Sequence, residues 1–179
     1  MIPFVTVPEN SKTLIQLHFM IKTALITGAT SGIGKATAKL LAQNNFKIVL
    51  CGRRKDRLEA LEKELSAFTA VHHLCFDVRD KKAVFESIAS LPEAFSDIDI
   101  LVNNAGNAHG LDSIQNGDMD DWDAMIDINV KGLLYVSKAI IPKMIAKESG
   151  HIINIGSIAG KEVYPNGNVY CASKYAVDA

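Results

Sequence analysis

A chain of 179 residues that is 48% apolar, with 12 glycines and 5 prolines, has the material for one globular, soluble domain burying roughly 70% of its unfolded surface. Nineteen basic residues against twenty acidic ones leave a net charge of −1 with no basic stripe, which argues against a nucleic-acid partner. Cys51, Cys75 and Cys171 form no C-x-x-C pair, no histidine stands at metal-ligand spacing, and no apolar run approaches about 18 residues; disulfide framework, zinc site and membrane span are therefore not expected. The cysteines read as buried apolar residues in a reducing, cytoplasmic setting.

Residues 1–19 lack the basic start and unbroken apolar segment of a signal peptide and fit none of the pattern that follows. They are expected to be a flexible or mis-assigned extension, with Met20 as the natural start and residues 20–179 as the folded unit. A first strand, Lys22–Thr27, leads through a glycine-rich turn into a helix from Lys35 to Asn44, and a second strand follows at Lys47–Cys51. Leu58, Leu61, Leu65 and Phe68 then recur at helical spacing beside a charged face. Strands are expected at Val71–Asp77 and Ile100–Asn103. A long helix from about Met119 to Lys147 carries an apolar stripe of Trp122, Met125, Ile126, Val130, Leu133, Leu134, Ile140, Ile141 and Met144. Polar Asn129 falls on that stripe, and Pro142 is expected to kink or end the helix. A fifth strand spans His151–Ile155. Near-continuous apolar strands alternating with amphipathic helices specify an α/β fold with a doubly wound parallel sheet, Rossmann-like, its strands covered on both faces.

The turn after the first strand reads Thr27-Gly28-Ala29-Thr30-Ser31-Gly32-Ile33-Gly34. Glycines between a strand and a helix permit a tight turn and close approach of the backbone to a pyrophosphate, which the helix N-terminus attracts. The spacing is G-x-x-x-G-x-G. With Asn103-Asn104-Ala105-Gly106 after the fourth strand, Ser157 after the fifth and Tyr170-x-x-x-Lys174 near the end, the chain from about residue 20 onward resembles the short-chain dehydrogenase/reductase family.

The second strand ends in Cys51-Gly52-Arg53-Arg54, where an acidic residue would serve the ribose hydroxyls of NAD. Two guanidinium groups suit a 2′-phosphate instead, so the expected cofactor is NADP(H). The alternative is a solvated basic helix start, since Lys55 and Arg57 follow. The resemblance implies that Gly28, Thr30, Ser31, Gly32, Ile33 and Gly34 hold the pyrophosphate end. It also implies that Asp77 and Val78 border the adenine, and that Asn104, Ala105 and Gly106 pass beneath the adenosine ribose.

A phenol with a reference pKa of about 10 is a poor base at neutral pH, and a cation four residues on along a helix shares its face and favours the phenolate. Tyr170 and Lys174 are so spaced. The resemblance makes Tyr170 the general acid/base, and gives Lys174 the added role of binding the nicotinamide ribose. Ser157 becomes a donor to the substrate oxygen, and Asn129 the holder of a water leading to solvent. Taken singly, a serine after a strand is a helix cap and a mid-helix asparagine makes one local bond. His18, His72, His73, His109 and His151 read as core, turn or surface residues.

The implied reaction is reversible hydride transfer between NADP(H) and a small-molecule substrate. "CGRRKDRLEAL" and "HIINIGSIAG" are most similar to the branch of the family acting on small 3-hydroxy acids such as serine and allo-threonine. A 3-oxoacyl-thioester reductase and a broad carbonyl reductase are alternatives of the same class, and a non-catalytic cofactor-binding regulator is one of another class. Five strands against at least six in the doubly wound order imply that C-terminal strands are missing and that the 179 residues, alone, are an inactive fragment. Family habit implies a homodimer or homotetramer for the complete protein.

Overall fold

The computed structural model describes residues 21–179. The expectation for residues 1–19 lies outside the described residues. Five strands, β1 (Thr23–Thr27), β2 (Lys47–Gly52), β3 (Val71–Cys75), β4 (Ile100–Asn103) and β5 (His151–Asn154), form one sheet in the order β3-β2-β1-β4-β5. All neighbours are parallel; Leu25 stands beside Val49 on one side and Leu101 on the other.

Side chains alternate across this sheet, and each face buries its own set. Ala24, Ile26, Ile48, Leu50 and Val102 pack with Ala38 and Ala42 of α1 (Gly32–Gln43) and Leu58, Leu61 and Leu65 of α2 (Lys55–Leu65). Leu25, Val49 and Leu101 pack on the other face. Their partners are Val84 and Ile88 of α3 (Lys81–Ala89) and Val136, Ile140 and Met144 of α5 (Leu133–Ala146). The remaining helices are α4 (Met119–Ile126) and α6 (Asn168–Asp178). β5 is the sheet edge, with all four residues exposed.

Several local expectations change. The helix read from Met119 to Lys147 is divided: between α4 and α5, Asp127–Gly132 forms a π-helical turn. Its cause is tertiary. Gly132 is buried against Val78, where an added Cβ would sit 2.7 Å from Cγ2, and Asn129 is drawn to a distant loop. Pro142 lies within α5 without ending it; Lys138, whose carbonyl it leaves without an N–H partner, is exposed and can be hydrated. α2 stops at Leu65, so Phe68 falls in the following turn and is exposed, as is Leu134 on α5. Cys51 and Cys171 are buried, whereas Cys75 is exposed, its Sγ turned to the Arg53 carbonyl. Burial pushes the Cys51 thiol far up.

From β1 the chain steps outward to β2 and β3, then returns across β1 to β4 and β5. The turns after β1 and β4 therefore diverge at one point, the switch point where open α/β sheets bind ligands.

Candidate active site

At this point the ends of β1 and β4 are tied together by side chains. Thr27 Oγ1 accepts from the backbone N–H groups of Asn104 and Ala105, both at 3.0 Å. Asn104 Nδ2 donates to the carbonyls of Thr27 (2.9 Å) and Gly28 (3.2 Å). Gly28 has φ +64°, a left-handed conformation that only glycine takes at no steric cost. Gly34 is buried beneath it: a Cβ there would lie 2.6 Å from the Gly28 carbonyl oxygen and against the Asn104 amide. Thus Asn104 shapes the glycine turn with its side chain.

Above these turns opens a cleft of about 580 Å³. Gly28, Thr30, Ser31, Gly32 and Ile33 line it from the first turn, and Arg53, Arg54, Asp77 and Val78 from the ends of β2 and β3. Asn104, Ala105 and Gly106 line it after β4, and Tyr170 and Lys174 from α6. Of the residues expected from sequence, Gly34, Asn129 and Ser157 are not in the lining; the first two are buried below it, and Ser157 follows Gly156, which does line it. The start of α1 faces this space with no side-chain cap from Ser31 and no acid in its first turn. A Cβ at Gly32 would meet nothing within 4 Å. Unclaimed N–H groups at a helix start, open space before them and two arginines alongside fit an anionic ligand.

Asp77 is half-buried between Arg79 (2.8 Å) and Arg53 (3.5 Å). Burial opposes its charge, but the hydrogen bonds and charge of Arg79, aided by Arg53, hold its carboxyl below the usual range.

α6 carries Tyr170 and Lys174 on one face, with the Lys174 ammonium 6.0 Å from the centre of the Tyr170 ring. Lys174 is buried to 7% exposure, and its Nζ donates to the Ile155 carbonyl at 3.0 Å. Burial pushes its pKa below the ordinary lysine value. Between that lowered folded value and the unfolded one near 10.4, the unfolded chain binds more protons, so stability rises with pH over the interval. Urea melts between about pH 7 and 10 are expected to show the native chain gaining on Lys174→Met as pH rises. A pH-independent difference would count against this.

Asn129 uses its whole amide. Its Oδ1 accepts from Asn107 N (2.9 Å), and its Nδ2 donates to the Asn107 carbonyl (2.9 Å) and to Ser173 Oγ (3.0 Å). Ser173, fully buried, in turn donates to the Tyr170 carbonyl at 2.8 Å. The π-helical turn, the loop after β4 and α6 are thereby joined. Ser157 caps the 3₁₀ turn Ile158–Gly160, its Oγ accepting from Ala159 N at 3.1 Å, which leaves its own proton free to donate. Sequence reasoning passed over Ser173, Asn107 and Thr27. Ser173 could have been found from its place three residues after Tyr170, on the buried side of the same helix.

A family profile described as short chain dehydrogenase matches residues 22–179. The chain belongs to the short chain dehydrogenase family. Within this family, the "NADP-dependent 3-hydroxy acid dehydrogenase YdfG" of Salmonella typhi is 47% identical over 150 residues, covering 84% of this chain and 60% of that protein. "Sulfoacetaldehyde reductase 2" of Chromohalobacter salexigens is 47% identical over 156 residues, covering 87% and 62%. Among solved structures, the closed form of serine dehydrogenase complexed with NADP+ matches with a TM-score of 0.82 at 44% identity, over 87% of this chain and 62% of that one. The chain spans about three-fifths of the length of these relatives. Among the described residues, no helix is long and apolar enough to cross a membrane.

Proposed function

We propose that the protein is an NADP-dependent oxidoreductase acting at the hydroxyl or carbonyl carbon of a small 3-hydroxy acid or its oxidised counterpart. The observation that carries this is that Tyr170 and Lys174 line the same cleft as the glycine turn and the arginine pair. The uncapped start of α1 and the open space at Gly32 suit the pyrophosphate, and Arg53 and Arg54 suit a 2′-phosphate. When bound, NADP(H) supplies or accepts the hydride.

The protein's part is proton transfer and positioning. Tyr170 exchanges a proton with the substrate oxygen, and the Lys174 ammonium, 6.0 Å from the centre of its ring, is the cation that faces this transfer. Lys174 Nζ spends one of its three donors on Ile155, leaving two for the ribose and solvent. Ser157 offers its free proton to the substrate oxygen, where charge gathers. Asn129 acts through Asn107 and Ser173. Both of its N–H donors are committed, so its side chain holds the loop and α6 in place, and the water that the resemblance assigns to it would be held by a carbonyl oxygen of Asn129.

The 3-hydroxy acid class is supported by the relative bearing that name. An equally similar relative named for sulfoacetaldehyde supports a second reading, reduction of a small aldehyde carrying an anionic group. Absorbance at the nicotinamide band, recorded on a form of the protein that spans the full length of its relatives, tests both, using serine, allo-threonine and other 3-hydroxy acids with NADP+ against small anionic aldehydes with NADPH. Turnover on either arm chooses between them. Cofactor binding without turnover on any substrate would sink the enzymatic reading.

A further inference from the structure

The two arginines after β2 stand in different electrostatic settings. Arg53 Nη1 lies 3.5 Å from Asp77 Oδ2, so its charge faces a carboxylate that Arg79 shares. Among the described residues Arg54 has only neutral partners: its Nη2 donates to Thr30 Oγ1 at 2.6 Å and to Ser31 Oγ at 3.2 Å. Hydroxyl oxygens fix the plane of a guanidinium without cancelling its charge, and the remaining N–H groups stay available for a bidentate anion. Arg54 and Thr30 both line the cleft.

Thr30 is itself set from the opposite side. A Cβ built on Gly52 would sit 3.2 Å from the Thr30 methyl, so that methyl occupies space which a side chain at 52 would need. A β-branched residue has little freedom about χ1. With the methyl packed toward the end of β2, the hydroxyl is committed to Arg54, which lies only two residues beyond Gly52. A brace thus crosses from the first turn to the second.

We propose that Thr30 is a specificity-determining positioning residue: its hydroxyl aims the uncompensated guanidinium of Arg54 at the 2′-phosphate, and Arg54 discriminates the phosphorylated cofactor more strongly than Arg53. This rests on the NADP reading above and assigns Thr30 a role one step back from the cofactor.

The test is titration calorimetry of the chain with 2′,5′-ADP and with 5′-AMP, read as the ratio of the two dissociation constants. Thr30→Val keeps the branched shape and removes the hydroxyl; it is expected to lower the preference for 2′,5′-ADP about tenfold, the loss of one charge-assisted hydrogen bond. Thr30→Ser, which retains the hydroxyl, is expected to recover most of it. Arg54→Met should cost more of the preference than Arg53→Met. A native-like ratio in Thr30→Val, or a larger loss in Arg53→Met than in Arg54→Met, overturns the proposal. If Thr30→Val fails to give a cooperative melt, the arginine comparison decides. A native chain with no preference for 2′,5′-ADP refutes the NADP reading, an outcome distinct from a native preference that the Thr30 variants leave intact.

Discussion

Tyr170→Phe, made in an active form of the protein, is expected to lower kcat by about 10²–10⁴-fold, the range that a positioned general acid/base contributes. NADPH binding should stay within several-fold of native. The phenyl ring can keep the position 6.0 Å from the Lys174 ammonium, and Lys174 is held by the Ile155 carbonyl independently of the phenolic oxygen. The hydrogen bond that ties residue 170 to its neighbours runs through its backbone carbonyl to Ser173, so it survives the substitution. Single-turnover kinetics with fluorescence titration of NADPH separate the two effects. Turnover within tenfold of native would mean that another group moves the proton.

The strands were legible where burial is two-sided. β1 is buried at all five positions and β2 at its four central ones, so their sequences are continuous apolar runs that cannot alternate. α3 was missed although it carries a signal: Asp80 accepts from Ala83 N as an N-cap, and Val84 and Ile88 follow four apart. Two buried residues in nine make too short a stripe to stand out beside α2, where Leu58, Leu61 and Leu65 mark three turns. The π-helical turn had no such local mark. It depends on Val78 meeting Gly132 and on Asn107 meeting Asn129, contacts between residues far apart in the chain.

The site shows the same division. Tyr170 and Lys174 could be paired from their spacing, because a helix places positions four apart on one face. The difference between Arg53 and Arg54 could not be read, because each is characterised by a partner 24 residues away, Asp77 for one and Thr30 for the other. Likewise the Asn104 side chain, expected near the cofactor, is spent on the backbone of the glycine turn, a contact across 76 or 77 residues.

Asn129→Leu should be the most damaging single change to stability among the polar residues of the site. The leucine has comparable bulk, but it makes none of the three hydrogen bonds that the amide exchanges with Asn107 and Ser173. Asn107 would keep an unpaired N–H and carbonyl. Ser173, fully buried, would lose its donor while still bonded to the Tyr170 carbonyl. One stranded buried polar group costs about 1–3 kcal/mol; with partial relaxation of the Asn107 loop, the expected loss is about 2–4 kcal/mol. Ser173→Ala removes one of these bonds together with the bond from Ser173 to the Tyr170 carbonyl and leaves one Asn129 N–H unpaired, but it keeps the Asn107 clasp intact, so about 1–2 kcal/mol is expected. The order of the two variants is therefore informative. Chemical denaturation should place Asn129→Leu below Ser173→Ala, and both should weaken cofactor binding through the displacement of α6. Equal melts for Asn129→Leu and Ser173→Ala would show that the Asn107 clasp contributes nothing and that α6 alone depends on this amide.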